Sequence, residues 1–215
     1  MAMGASQPQF DIGQLLSRSW QVFTANVGIL LGGLVLFIVI QAAVNGVLAL
    51  ASLPAVGHLV IGGPLALGYC GVSLRLVRGE RVEFGDLFLG FQRFLPGFLA
   101  NLLISIFITI GTFFCVIPGL VVAVLYGITF LFMFDRNQDF WPAMESSRQT
   151  VMAGFWPWCL LWLVLAALNI AGAIVCGVGL LISMPVCALM LAQAYDQVAG
   201  GNAYSAATDP YRSAE

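Results

Sequence analysis

Side chains that commonly take part in catalysis are few in this sequence. The 215 residues include one histidine, His58, five cysteines and ten aspartate or glutamate residues. A metal-dependent hydrolase needs several His, Asp or Glu ligands that converge on one ion, and a serine or cysteine nucleophile needs a base beside it. His58 is followed by Leu59 and Val60, and no acidic residue lies in the middle of an apolar run. The sequence therefore predicts no enzyme, no metal site and no cofactor.

The cysteines fall into two groups. Cys70, Cys159 and Cys187 lie within apolar runs, where thiols usually pack as small hydrophobic groups. Cys115 and Cys176 occupy equivalent turns between apolar runs. Because disulfide geometry is strict, the sequence leaves open whether these two residues are bonded to each other.

The composition is that of a protein whose solvent is lipid. Hydrophobic residues make up 60% of the chain, charged residues only 8%, and the mean hydropathy is +0.98. In soluble domains roughly a quarter of all residues are charged, so we expect an integral membrane protein. The formal net charge of −2 does not favour binding to nucleic acid, which requires a positively charged surface.

Six apolar runs predict the spans of an all-α polytopic membrane protein. Each run contains 17 to 24 residues, which matches about 30 Å of hydrocarbon at about 1.5 Å per residue. The links between the first and second run of each pair are short, which forces antiparallel neighbours and so predicts three helical hairpins. The predicted spans are 27–50, 55–74, 97–113, 116–134, 155–174 and 177–194.

The positive charges predict the orientation of these hairpins. All eight arginines lie near a terminus or in the two long connections, and the three short links contain none. By the positive-inside rule, we expect both termini and both long connections on the cytoplasmic side of a bacterial inner membrane. The arginines are Arg18, Arg75, Arg78, Arg81, Arg93, Arg136, Arg148 and Arg212.

An amphipathic stretch precedes each hairpin and suggests an internal repeat. The first stretch, 10–26, has Asp11 as a predicted helix N-cap with Gln14 as its partner. The others surround Phe88 and Trp141, and we expect all three to form interfacial helices on the cytoplasmic side. We interpret residues 1–199 as a single six-span membrane domain. Its pseudo-repeats lie at about 10–79, 84–136 and 140–197, and 200–215 is expected to be a flexible cytoplasmic tail.

Several short motifs carry a resemblance to a known family. They are FGDLF at 84–88, IPGL at 117–120, WPAM at 141–144, FW at 155–156 and CGVGLL at 176–181, together with Asp135 and Ser147. The chain resembles bacterial six-span inner-membrane proteins related to the membrane domain attached to some glycerophosphodiester phosphodiesterases. This resemblance implies a fold and a membrane rather than a chemistry, because no hydrolytic domain is expected in this sequence.

Two functions remain open at this stage. The first is a structural, lipid-interacting or assembly protein without catalytic activity, whose partners are membrane lipids and either further copies of itself or another membrane protein. The alternative is a transporter or channel-like carrier for a neutral or lipidic substrate. The candidate interface anchors are Trp20, Phe91, Trp141, Trp156 and Trp158; the candidate lipid-phosphate contacts are Arg18, Arg93 and Arg148; the candidate intramembrane polar contacts are Asn45, Asn101 and Asn169.

Overall fold

A computed structural model describes residues 10–50, 54–114, 116–174 and 178–200 of the chain, and these residues form helices and short connections without a strand. Helix α1 spans Ile12–Ala25, α2 Val27–Leu50 and α3 Pro54–Val77; a 3₁₀ helix, Phe84–Phe88, leads into the single turn α4, Leu89–Gln92. Helix α5 spans Phe94–Phe114, α6 Val116–Tyr126, α7 Thr129–Asp135, α8 Phe140–Ala153, α9 Phe155–Ile174 and α10 Val178–Tyr195. A π-helical turn, Asp196–Gly200, follows α10.

Six segments of this structure are long and apolar enough to cross a membrane. They are Val27–Ala49, Gly57–Val77, Phe94–Phe114, Val116–Asp135, Phe155–Ile174 and Gly179–Ala199. The prediction of an all-α polytopic membrane fold is therefore confirmed. The turns that hold Cys115 and Cys176, and the tail beyond residue 200, lie outside the described residues, so the questions about a disulfide and a flexible tail stay open.

The second span of each hairpin forms the centre of the molecule. Helices α3, α6–α7 and α10 are more buried than the first spans α2, α5 and α9. Helix α3 packs against α2, α5, α7 and α10 and is the hub of the bundle. The first spans surround this core and expose large apolar side chains such as Val39, Ile110 and Leu163, as expected of helices that face lipid.

Glycines let the two helices of a hairpin approach at backbone distance. In the second hairpin a Cβ atom on Gly111 would lie 2.9 Å from the backbone of Gly119. In the third hairpin Gly172 and Gly179 face each other in the same way, with a Cβ on Gly172 only 3.0 Å from the carbonyl of Gly179. Small residues at such crossings allow close van der Waals packing in lipid. Both hairpins are therefore tightest near the side on which their first spans end, which we call the hairpin end.

The fourth span differs from the prediction because it is interrupted. The sequence predicted one helix over 116–134, but α6 ends at Tyr126 and α7 begins at Thr129. The ring of Trp162 occupies the space that a side chain on Gly127 would need. The carbonyl of Leu125 accepts a hydrogen bond of 2.6 Å from the hydroxyl of Ser147. At the break, a side-chain hydroxyl from α8 therefore bonds a backbone carbonyl of α6, and the ring of Trp162 packs beside Gly127.

Candidate functional site

The charged residues gather on the side of the bundle opposite the hairpin end, which we call the charged end. Here α3, α7 and α10 finish, and α2, α5 and α9 begin. Single residues with similar backbone angles join the preceding segments to these first spans. They are Asn26 (φ −129°, ψ 29°), Arg93 (φ −118°, ψ 47°) and Gly154 (φ −144°, ψ 53°). Each surface segment therefore turns sharply into the span that follows it.

Helix α1 begins as predicted but buries its apolar face against protein. The carboxylate of Asp11 caps the helix by accepting a hydrogen bond of 3.1 Å from the backbone N–H of Gln14. Leu15, Ser19 and Phe23 are buried, and α1 packs mainly against α10. The apolar stripe of α1 is therefore only partly available to lipid, through residues at its edge such as Trp20.

The second surface segment lies against the side of the first hairpin. The ring of Phe84 lies over Gly32, Leu87 lies beside Gly33, and the carbonyl of Leu87 approaches Gly68 so closely that a Cβ there would overlap it. Leu87 is buried, whereas Phe84 remains half exposed. Instead of the predicted amphipathic helix, this segment is a 3₁₀ turn and one α-helical turn. It packs closely against glycines of α2 and α3.

Four of the five predicted interface anchors are accessible, and one is not. Trp20, Trp141 and Trp156 are exposed, and Phe91 is partly exposed. Trp158 has no exposed surface, and its ring packs edge-on against Phe10 at a centroid distance of 5.0 Å. Its ring cannot meet lipid headgroups in this structure, because it is buried in the core with Phe10 packed against it.

The three arginines expected to contact lipid phosphate are in different surroundings. Arg18 is exposed and has no hydrogen bond or ion pair among the described residues. Arg93 donates to the carbonyl of Met133 at 3.1 Å and to the carboxylate of Asp139 at 3.3 Å. The charge of Arg93 is therefore already matched within the protein, which leaves Arg18 as the accessible cation of these two.

Arg148 is paired within its own helix. It donates two hydrogen bonds to the carboxylate of Glu145, of 2.7 and 3.0 Å, and Gln149 donates a third of 2.7 Å. These bonds, chiefly those from Arg148, lower the pKa of Glu145 to about 2. The exposed side of α8 thus carries an ion pair rather than an isolated positive charge.

A network that the sequence did not reveal joins the ends of the three second spans. Arg78, just after α3, donates to Asp135 at the end of α7 at 2.6 Å and to Asp196 after α10 at 2.9 Å. The hydroxyl of Tyr195 donates to the other oxygen of Asp135 at 2.8 Å. We call Arg78, Asp135, Tyr195 and Asp196 the Arg78 network. Its only signal in the sequence was that each second span ends at a polar or charged residue.

Two further arginines extend these contacts. Arg136 donates to the carbonyl of Ala199 at 3.2 Å, and its guanidinium lies 5.0 Å from the ring centroid of Phe132. Arg75 donates to Asp86 at 3.1 Å and lies 5.5 Å from the ring of Phe134. Charged side chains at this end are therefore used mainly to bind one another and the helix ends. Within the described residues no group of three or more His, Cys, Asp or Glu side chains could hold a metal ion.

The predicted intramembrane polar residues have different environments. Asn101 on α5 donates to the carbonyls of His58 and Leu59 on α3, both at 3.2 Å. Asn169 on α9 accepts a hydrogen bond of 3.0 Å from Ser183 on α10. The side-chain oxygen of Asn45 is buried without a hydrogen-bond partner among the described residues. Asn101 and Asn169 therefore join neighbouring helices.

Comparison with known proteins finds similar chains in mycobacteria. An uncharacterized protein of Mycobacterium tuberculosis strain H37Rv is 27% identical over 233 aligned positions, which cover 92% of this chain and 71% of the relative. An uncharacterized protein of Mycobacterium bovis is 26% identical over 232 positions, with the same coverage. No family model matches this chain. No solved structure matches it either.

Proposed function

We propose that this chain is a non-catalytic structural protein of a bacterial inner membrane that interacts with lipid, with both termini in the cytoplasm. The observation that carries this proposal is the use of its charged groups. At the charged end they bond to one another and tie three hairpins together, whereas the spans present large apolar side chains to their surroundings. Such a distribution suits a scaffold within the bilayer.

The proposed orientation follows from the placement of the arginines. Arg18, Arg75, Arg78, Arg81, Arg93, Arg136 and Arg148 all belong to the charged end of the described structure. Because positive charges favour the cytoplasmic side, we assign the charged end to the cytoplasm.

Cysteine labelling tests this orientation. In a variant whose five native cysteines are replaced by serine or alanine, Arg81→Cys places one thiol in an exposed loop. We expect a membrane-impermeant maleimide to label it in inverted vesicles and not in intact cells. The cysteine-free parent is the control for background. Labelling in intact cells would overturn the assignment.

Lipid contact in this proposal centres on Arg18 rather than on Arg93. We expect Arg18→Gln to reduce the amount of anionic phospholipid retained by the purified protein. Arg93→Gln is the matched control, because its guanidinium is already bonded within the protein. Equal retention by the unaltered protein and Arg18→Gln would remove Arg18 from the lipid contact.

The carrier remains the second candidate because of the interrupted fourth span. Discontinuous transmembrane helices commonly form the substrate sites of transporters. Here, however, the gap at Gly127 is filled by the ring of Trp162, and the carbonyl of Leu125 is bonded to Ser147. We therefore expect proteoliposomes to move a fluorescent phospholipid between leaflets no faster than protein-free vesicles. Protein-dependent movement would favour the carrier.

The same proposal includes association with further copies or with another membrane protein. The outward faces of α2 and α9 are broad and apolar, with Val35, Ile38, Leu163 and Ile170 exposed. Mass measurement of the protein in nanodiscs at several protein-to-lipid ratios tests whether copies associate. A mass of one chain at every ratio would restrict the partners to lipids or other proteins.

A further inference from the structure

A groove runs between the second and third hairpins on the lipid-facing surface. It has a volume of about 590 Å³ and lies between α6 and α9. Leu120 on α6 and Leu160 and Leu163 on α9 are its exposed lips, whereas Val124 and Leu165 are buried and form its floor. All of these residues belong to membrane-spanning segments.

The sequence explains why this space exists. Each hairpin is drawn together by its own glycine pair near the hairpin end, so the closest contacts of α6 and α9 are made with α5 and α10 rather than with each other. Alanines occupy the facing walls, with Ala123 on α6 and Ala166 on α9. Small side chains on two helices from different hairpins therefore leave the groove between α6 and α9.

The dimensions of the groove match one lipid chain from the leaflet at the charged end. Its lining on α9 extends from Trp156, next to the start of the helix, to Asn169. Thirteen helical steps correspond to about 20 Å, and one leaflet contributes about half of the roughly 30 Å hydrocarbon core. The groove therefore accommodates the full depth of an acyl chain within one leaflet.

The charge at the mouth of the groove indicates the headgroup. Helix α8 packs against α6 and is joined to α9 by Gly154 alone, so α8 lies at the ends of both helices that form the groove. A guanidinium nitrogen of Arg148 lies 3.6 Å from the sulfur of the exposed Met152, two residues before Gly154. Glu145 is bonded to the same guanidinium. Both side chains are about 40% exposed, with 42% for Arg148 and 40% for Glu145. This pair presents one positive and one negative group side by side.

We propose that the groove binds one acyl chain of a phospholipid with a zwitterionic headgroup, such as phosphatidylethanolamine. The phosphate of the headgroup contacts the guanidinium nitrogen of Arg148 that is not bonded to Glu145 and otherwise meets only the sulfur of Met152, and the primary amine of the headgroup contacts Glu145. A headgroup with one charge of each sign is complementary to this pair, whereas a purely anionic headgroup would meet the repulsion of Glu145. This inference rests on the proposed lipid-facing role of the spans and adds a site and a lipid class to it.

Mass spectrometry of the intact protein released from nanodiscs tests the acyl-chain site. The nanodiscs contain equal amounts of phosphatidylethanolamine and phosphatidylglycerol. We expect Ala166→Phe, which fills the groove, to lose a phospholipid that the unaltered protein retains. Ala167→Phe is the matched control, because Ala167 is the exposed neighbour outside the groove. Ala123→Leu fills the groove from the opposite wall and is expected to lose the same lipid.

The outcomes separate this site from the broader proposal. Retention of the lipid by both groove variants, or its loss from Ala167→Phe as well, would overturn the acyl-chain site. If the lipid that Ala166→Phe loses were phosphatidylglycerol instead of phosphatidylethanolamine, the headgroup assignment would be overturned; phosphatidylglycerol held at Arg18 should be retained by this variant. Maleimide labelling and lipid movement measure orientation and transport independently, so either proposal can fail while the other stands.

Discussion

Replacing Arg78 by alanine is expected to loosen the ends of all three hairpins. The substitution removes the ion pairs to Asp135 and Asp196 in one step. It also leaves two carboxylates without the cation that lies between them. The effect should therefore exceed that of losing an ordinary surface charge.

The exposure of the partners sets the expected magnitude. The side chain of Asp135 is 8% exposed, that of Arg78 26% and that of Asp196 33%. Removing one partner of a fully buried pair costs roughly 3–5 kcal/mol, whereas exposed pairs contribute about 0–1 kcal/mol. The Asp135 contact lies between these limits, at about 2 kcal/mol, and the Asp196 contact adds about 0.5 kcal/mol. We expect Arg78→Ala to lower the free energy of unfolding by about 2.5 kcal/mol.

Unfolding by sodium dodecyl sulfate in mixed micelles measures this free energy. Arg81→Ala is the matched control, because Arg81 is exposed in the adjoining loop and has no hydrogen bond or ion pair among the described residues. A double-mutant cycle with Asp135→Asn isolates the pair, since asparagine still offers Tyr195 an acceptor. We expect a coupling energy of about 2 kcal/mol. A coupling below about 0.5 kcal/mol would show that the Arg78 network does not hold the hairpins together.

Three further predictions concern local contacts. Gly63→Ala should lower the free energy of unfolding by at least about 2 kcal/mol, because a Cβ there would overlap the backbone carbonyl of Gly97. Gly46→Ala is the control: a Cβ on Gly46 would meet nothing within 4 Å, so this substitution should not destabilise the protein. Ser147→Ala removes the hydroxyl donor at the break in the fourth span and should cost about 1 kcal/mol in the same unfolding assay. Because the pKa of Glu145 is lowered to about 2, its stabilising contribution is present above pH 4.5 and is lost as the pH falls toward 2. The difference in unfolding free energy between the unaltered protein and Glu145→Gln should vanish over that interval, and a constant difference would contradict this assignment.

The sequence predicted the spans well where composition alone determines them. Helix α2, Val27–Leu50, and helix α9, Phe155–Ile174, have the predicted bounds. Each begins directly after a polar or small residue, Asn26 or Gly154, which separates the apolar run from the preceding helix. Helix α5 begins at Phe94 rather than Gly97. Pro96 falls in its first turn, where the missing N–H would have no helical partner anyway. Local chemistry of this kind explains a boundary once the structure shows where the helix starts.

Contacts between distant residues could not be predicted in the same way. Arg78 lies 57 residues before Asp135 and 118 before Asp196, so no local pattern pairs them. At the break in the fourth span, the space beside Gly127 is filled by the ring of Trp162, which belongs to another hairpin. Trp158 resembles an interface anchor in sequence, but it lies in the buried core and packs against Phe10. Tertiary contacts decide each of these positions.

The one-residue junctions before the first spans have a consequence for how the chain tolerates change in length. Because only Gly154 separates α8 from α9, the rotation of one helix about its axis fixes that of the other. A helix turns by about 100° per residue, so a single inserted residue would swing the buried face of α8, with Ala143, Met144 and Ser147, out of its packing site. Natural variants of this protein should therefore accept insertions in the connection around Gly79 and exclude them at these junctions.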